Sequence, residues 1–190
     1  ANESKFDDIS VDKSKSELAE RDYEQKMTKI FDEMNRVLDN DGIFTLMFTH
    51  KKTEAWDTLT KALINSEFVV TATHPVSTES KHSLHQKGKN SAESTILLAS
   101  EKRDAKDETS TLYENIKRET RQVARRKARE LDERDVDFAK VDIILASFGP
   151  TLEIFTKNYP VVDDEGNEVA PQEALDEARS AVNDYLIEKY

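Results

Sequence analysis

Residues 16–103 predict an α/β unit: half of an open sheet in the order helix–strand–helix–strand–strand, followed by a mostly helical extension. Three observations carry this. Apolar residues between Ser16 and Leu38 recur at helical spacing, and the runs Ile43–Phe48, Glu67–Thr73 and Ser94–Ala99 are rich in strand formers. Only the first two of those runs are separated by a helical pattern.

The elements follow in order. Residues 1–15 (ANESKFDDISVDKSK) show no period and are expected to form a flexible tail. The next helix carries Tyr23, Met27, Ile30, Phe31, Met34, Val37 and Leu38 as one stripe. Asn40-Asp41-Gly42 ends it, with Gly42 expected in the left-handed conformation. Ile43–Phe48 is apolar on both sides except at Thr45, which predicts a strand inside a sheet covered on both faces. Thr53 suits the N-cap of a helix over 54–65 that buries Trp56, Leu59 and Leu63. The strand over 67–73 is expected to stop at His74-Pro75, because proline has no N–H to donate. A right-handed crossover through the Trp56 helix joins the first two strands. The third strand is reached by loop alone, so it is expected to run antiparallel to the second.

After Ser100 the composition turns polar. Residues 101–110 read as a charged linker, so 104–190 is expected to be a separate helical extension. It holds a long polar helix over 111–135 and a more apolar one over 136–148 that Gly149-Pro150 should break. A short helix over 151–157, a small hairpin over 161–169 and a last helix opening at Pro171 complete it.

Composition narrows the function classes. Of 190 residues 36% are hydrophobic and 35% charged, the net charge is −11, and there is no cysteine. Thiol catalysis, disulfides and zinc ribbons are thereby excluded. So acidic a chain does not bind nucleic acid over its whole surface, which leaves a local basic patch. No apolar run reaches the length of a membrane span and no signal pattern opens the chain, so no membrane contact and a cytoplasmic location are expected.

Three segments could carry chemistry. Thr49, His50 and Lys51, with Lys52, stand at the carboxyl end of a strand, where open α/β sheets hold their ligands; the alternative is a strand end that is polar only because it meets water. In the loop that follows the second strand, Lys81 and Lys87 among serines suit phosphate contacts, against a plain surface loop. His74, His82 and His85 share that region, but without a thiol and with only Glu79 and Glu93 nearby no metal site is expected. Residues 117–134 concentrate cations, Arg125 and Arg126 among them. They suit nucleic acid or a partner chain, against a solvated helix laced with pairs such as Arg126–Glu130. No glycine-rich phosphate loop, nucleophile elbow or paired strand-end carboxylates occur, so no catalytic or cofactor-binding residue is assigned.

The phrases RVLDNDGIFTLMFTHK, FVVTATHPVSTE and STILLASEKR resemble the C-terminal part of Rossmann-fold adenine-specific DNA methyltransferases. The likeness is to the large prokaryotic DNA methylases with an N-terminal domain of unknown function. It covers about residues 20–103, with DIILASFGPTLEIFTKNYPVVDDEGNEVAPQEAL resembling that family's C-terminal extension. The resemblance implies the helix before strand five, strand five, and the hairpin of strands six and seven. It implies methyl transfer from S-adenosylmethionine to the exocyclic amine of adenine, on a base extruded from DNA. The family's Asp/Asn-Pro-Pro-Tyr/Phe motif and its glycine-rich cofactor turn are missing here, and Glu67 stands where the family tends to place glycine before strand six. The expectation is therefore a back half that is inactive alone and binds no cofactor alone. Its partners would be DNA, the front half of the enzyme, and its own copies through the sheet edge left by strand four. The competing expectation is a non-enzymatic binding module that uses the helix over 117–134.

Overall fold

The three long strand runs pair in one sheet, and the order of pairing decides what the rest of the chain can cover. The computed structural model describes residues 3–77, 94–104, 109–133 and 139–189. Its elements are α1 (Glu3–Val37), β1 (Phe44–Phe48), α2 (Thr53–Asn65), β2 (Phe68–Ser77) and β3 (Ser94–Lys102), then β4 (Thr111–Leu112), α3 (Tyr113–Asp132), α4 (Lys140–Lys157), β5 (Val161–Val162) and α5 (Pro171–Lys189). The sheet order is β1-β3-β2, with β3 antiparallel to both neighbours. β1 and β2 are thus parallel and joined through α2, and β3 inserts between them as the return strand of a hairpin.

This order corrects the expectation for β1. It is an edge strand, not a central one: Phe44, Leu46 and Phe48 are half-buried while Thr45 and Met47 are exposed. A bulge between Val70 and Ala72 shifts the register of β2, so Phe68 and Val70, then Thr73 and Pro75, share the face that carries Ile96 and Leu98. Helices cover that face. The opposite face, with Ile43, Met47, Ala72, Leu97 and Ala99, has three of these five exposed and the other two half-buried.

Proline does less damage than its chemistry alone predicts, at both positions where a break is expected. β2 continues through His74-Pro75, with Pro75 opposite Ile96. Among the described residues it pairs only with β3, and on its other edge the Val70 N–H is taken by Thr156 Oγ1 at 3.0 Å; an edge strand loses no ladder bond to proline. α4 likewise runs unbroken through Gly149-Pro150. An interior proline costs about 3 kcal/mol, but Phe148, Leu152 and Phe155 are fully buried, at roughly 1.5–3 kcal/mol each. Packing wins. Gly149 lets this helix lie against the sheet, because a Cβ there would stand 2.7 Å from Thr73 Cβ.

Smaller differences are local. The backbone of 3–15, expected as a tail, continues α1. Gly42 has no positive φ among the described residues; it sits against Leu38, whose Cγ would be 2.8 Å from an added Cβ. The left-handed position is instead Glu67, at φ 57, just after α2. The expected linker is partly strand, since β3 reaches Lys102, and the helix expected from 111 is preceded by β4, which pairs in parallel with β5. The hairpin closes as expected, with Val169 N–H on Val161 O at 2.9 Å. In its turn the Asn167 side chain and backbone N–H groups hold the Asp163 carboxyl below the usual carboxylate range.

The core crosses the expected boundary near residue 103. One cluster joins Trp56, Leu59, Phe68 and Leu98 to Ala124, Ile143, Phe148, Leu152, Leu175 and Val182. The extension therefore completes the sheet's own core. No helix of the described residues is long and apolar enough to cross a membrane.

Candidate functional site

The carboxyl end of β1 is held by a tryptophan. Trp56 is fully buried, with its ring edge-on to Phe48 at 4.8 Å and to Phe148 at 5.8 Å. Its Nε1 donates to His50 O at 2.8 Å. The Lys52 N–H donates to His50 Nδ1 at 3.1 Å, so the turn is fixed at two points. α2 then begins at Thr53 after an N-cap residue, Lys52, that supplies no side-chain cap. The Thr53 hydroxyl, expected as the cap, is buried and accepts from Arg179 Nη2 of α5.

Two cavities flank this turn. One of about 360 Å³ is walled by Tyr23 of α1, Phe48, His50, Lys52, Glu54 and Ala55. The other, about 520 Å³, is lined by Lys51, Lys140 and Arg179 over Val141, Ile144 and Leu145. His50 and Lys51 are neighbours in sequence, yet they line separate cavities. The first offers two aromatic walls with an imidazole, an ammonium and a carboxylate at the rim. The second sets three cations around an apolar floor, which suits an anion. Thr49 is exposed between them. Lys140 and Arg179 escaped sequence reasoning, since nothing local marks either one; they reach the turn only because α4 and α5 pack beside α2.

The helix over 117–134 has a different fate. Two of its cations are engaged by acids of α5: Arg121 bonds Glu177 and, at 2.7 Å, Asp184, and Arg125 bonds Glu188. These bonds push both guanidinium groups above their ordinary range. Lys127 lies 3.3 Å from Glu130, and exposed Arg126 lies 4.0 Å from the same residue, the pair expected for a solvated helix. Arg125 and Arg126 are thus not brought to the β1 turn. His74 is exposed on β2 opposite Leu97. Lys81, Lys87, His82 and His85 lie outside the described residues, among which no group of three His, Cys, Asp or Glu could hold a metal ion.

Comparison with family models, with curated proteins and with solved structures finds no match for this chain.

Proposed function

We propose that this chain is the C-terminal portion of an S-adenosylmethionine-dependent DNA adenine N6-methyltransferase, contributing sheet scaffold and a DNA-facing rim. The observation that carries the reading is the state of β1. Its outer edge has no paired strand among the described residues, and its outer face leaves Ile43 and Met47 more than half exposed. A strand that is apolar on both faces suits the interior of a covered parallel sheet, and strand four of the resembled family would pair along this edge. Glu67 adds support from its backbone, since it takes the left-handed conformation that favours the glycine the family tends to place there. Lys51, Lys140 and Arg179 line the cavity on the α4–α5 side of the β1 turn, and such cations suit the phosphates that position DNA.

In this reading the chain's own residues bind and orient, and chemistry awaits the front half. Two results are expected. The coding sequence immediately upstream of Ala1 contains Asp/Asn-Pro-Pro-Tyr/Phe, and calorimetry finds no S-adenosylmethionine bound to the 190-residue chain. An upstream region without that motif, or stoichiometric cofactor binding by this chain, would overturn the reading. The binding module on residues 117–134 is less favoured, because Arg121 and Arg125 are already engaged by α5.

A further inference from the structure

α5 turns its charges two ways. Glu177, Asp184 and Glu188 meet arginines of α3, whereas Arg179 reaches the first residue of α2. There its Nη2 donates to the Thr53 hydroxyl, and among the described residues it meets no carboxylate. The chain has 39 Asp and Glu against 28 Lys and Arg, so a half-buried guanidinium without an acid is unusual. Charges withdrawn from water are ordinarily paired.

Arg179 lines the cavity of about 520 Å³ beside the β1 turn. Among the described residues no acid lines it; Asp142, in the same turn of α4, is buried but not part of the wall. Lys140 stands at the rim, exposed and without an ion pair among the described residues. Lys51 has an interaction of its own, so Arg179 and Lys140 are the cations left to meet a ligand. The positive end of α4 only adds to their field, since its cap residue, Ala139, lines the same cavity and supplies no side-chain cap. The floor has a different chemistry. Val141, Ile144 and Leu145 follow Lys140 at helical spacing, over about 6 Å at 1.5 Å per residue. Leu145 is fully buried, whereas Val141 and Ile144 keep part of their apolar surface open. All three are aliphatic, and among the described residues the wall has no ring on which a base could stack.

We propose that this cavity binds a small aliphatic carboxylate, its head on Arg179 and Lys140 and its chain along Val141, Ile144 and Leu145. A guanidinium can meet a carboxylate with two parallel N–H donors. A concave site with an apolar floor and a few convergent polar groups is what small-molecule sites have in common. Each methylene buried on the floor tightens binding by roughly fourfold. The inference does not rest on the methyltransferase reading, in which the same cations would meet DNA phosphates; the upstream motif tests that reading separately.

Calorimetry of the 190-residue chain with octanoate tests the proposal. One molecule bound per chain is expected. Butanoate keeps the head and shortens the chain, and should bind roughly tenfold or more weakly. Octanol keeps the chain and loses the charge, and should be weaker by a similar factor. Arg179→Met removes the guanidinium and should weaken octanoate roughly tenfold or more. Lys140→Glu, at an exposed position, should weaken it by roughly fivefold. Circular dichroism shows whether Arg179→Met stays folded; if it does not, Lys140→Glu decides. No octanoate bound, equal binding of butanoate or octanol, or binding that Lys140→Glu leaves unchanged would each overturn the proposal. A short DNA duplex that binds through Arg179 and Lys140 where octanoate does not would overturn it too, and leave the cavity to DNA phosphates.

Discussion

The β1 edge and the α3–α5 pair handle surface in opposite ways. Around β1, apolar groups stand in water: Ile43 and Met47 on the outer sheet face, Tyr23, Ile30 and Met34 on α1. Between α3 and α5 the facing charges are paired, although the buried Thr120 Oγ1 and Asn183 Oδ1 find no hydrogen-bond partner among the described residues. Arg121 and Arg125 meet Glu177, Asp184 and Glu188, while Tyr185 and Lys189 both reach Asp132. The cations that most suggested a nucleic-acid surface belong to the satisfied region. The plain apolar strand belongs to the unsatisfied one. Local charge excess is a poor guide to an interface when a helix of opposite charge lies elsewhere in the chain; unsatisfied edges and faces are a better one.

The largest expected effect comes from Trp56, which ties the open region to the closed one. It touches Phe48 of β1 and Phe148 of α4 and holds the His50 carbonyl. Trp56→Ala should lower unfolding free energy by about 3–5 kcal/mol, read by urea denaturation. It should also release the β1 turn, seen as faster amide exchange at Lys51 and Lys52. A loss below about 1 kcal/mol, within the range of a surface change, would mean that the two regions are not coupled through this residue.

A smaller effect, of opposite sign, is expected at Glu67. A side chain in the left-handed region costs roughly 1–2 kcal/mol, part of which glycine gives back through the entropy of the unfolded chain. Glu67→Gly should therefore stabilise by about 1 kcal/mol, raising the thermal midpoint without moving the sheet register. Glu67→Ala serves as the control, since it keeps the Cβ and should stabilise little. Equal gains from both would point to the charge of Glu67, and the backbone argument would fail.

How much of this was legible in sequence depended on how far apart the deciding residues lie. The three strands, the α2 crossover, the antiparallel return of β3 and the 161–169 hairpin follow from local period and turn chemistry. The edge position of β1 does not, because pairing order depends on where β3 inserts some fifty residues later. Pro75 and Pro150 were read as stops from their own chemistry, and both were overruled by surroundings: a sheet edge for one, a buried helix face for the other. At the candidate site, Thr49, His50 and Lys51 were visible as a polar strand end. That His50 and Lys51 line different cavities was not visible, since the wall between them is built by α1 on one side and by α4 and α5 on the other.

The finest contrast lies inside the satisfied region. Arg121 and Arg125 sit one turn apart on α3 and look alike in sequence, yet their partners differ in exposure. Arg121 bonds Glu177, whose side chain is 19% exposed, whereas Arg125 bonds Glu188, 60% exposed. Solvent screens the second pair more, and long exposed side chains lose freedom when held, so exposed pairs contribute only about 0.2–1 kcal/mol. Removing Arg121 also strands a carboxylate that water reaches poorly. Arg121→Met is therefore expected to cost about 1 kcal/mol, and Arg125→Met less than about 0.5 kcal/mol, with each parent pair's contribution shrinking in 1 M salt, where the Debye length falls to about 3 Å. Because salt also eases repulsion across a chain of net charge −11, the quantity to follow is the difference between the two variants. If Arg125→Met costs as much as Arg121→Met at low salt, burial does not set the ranking, and the α3–α5 seam is held by charge count alone.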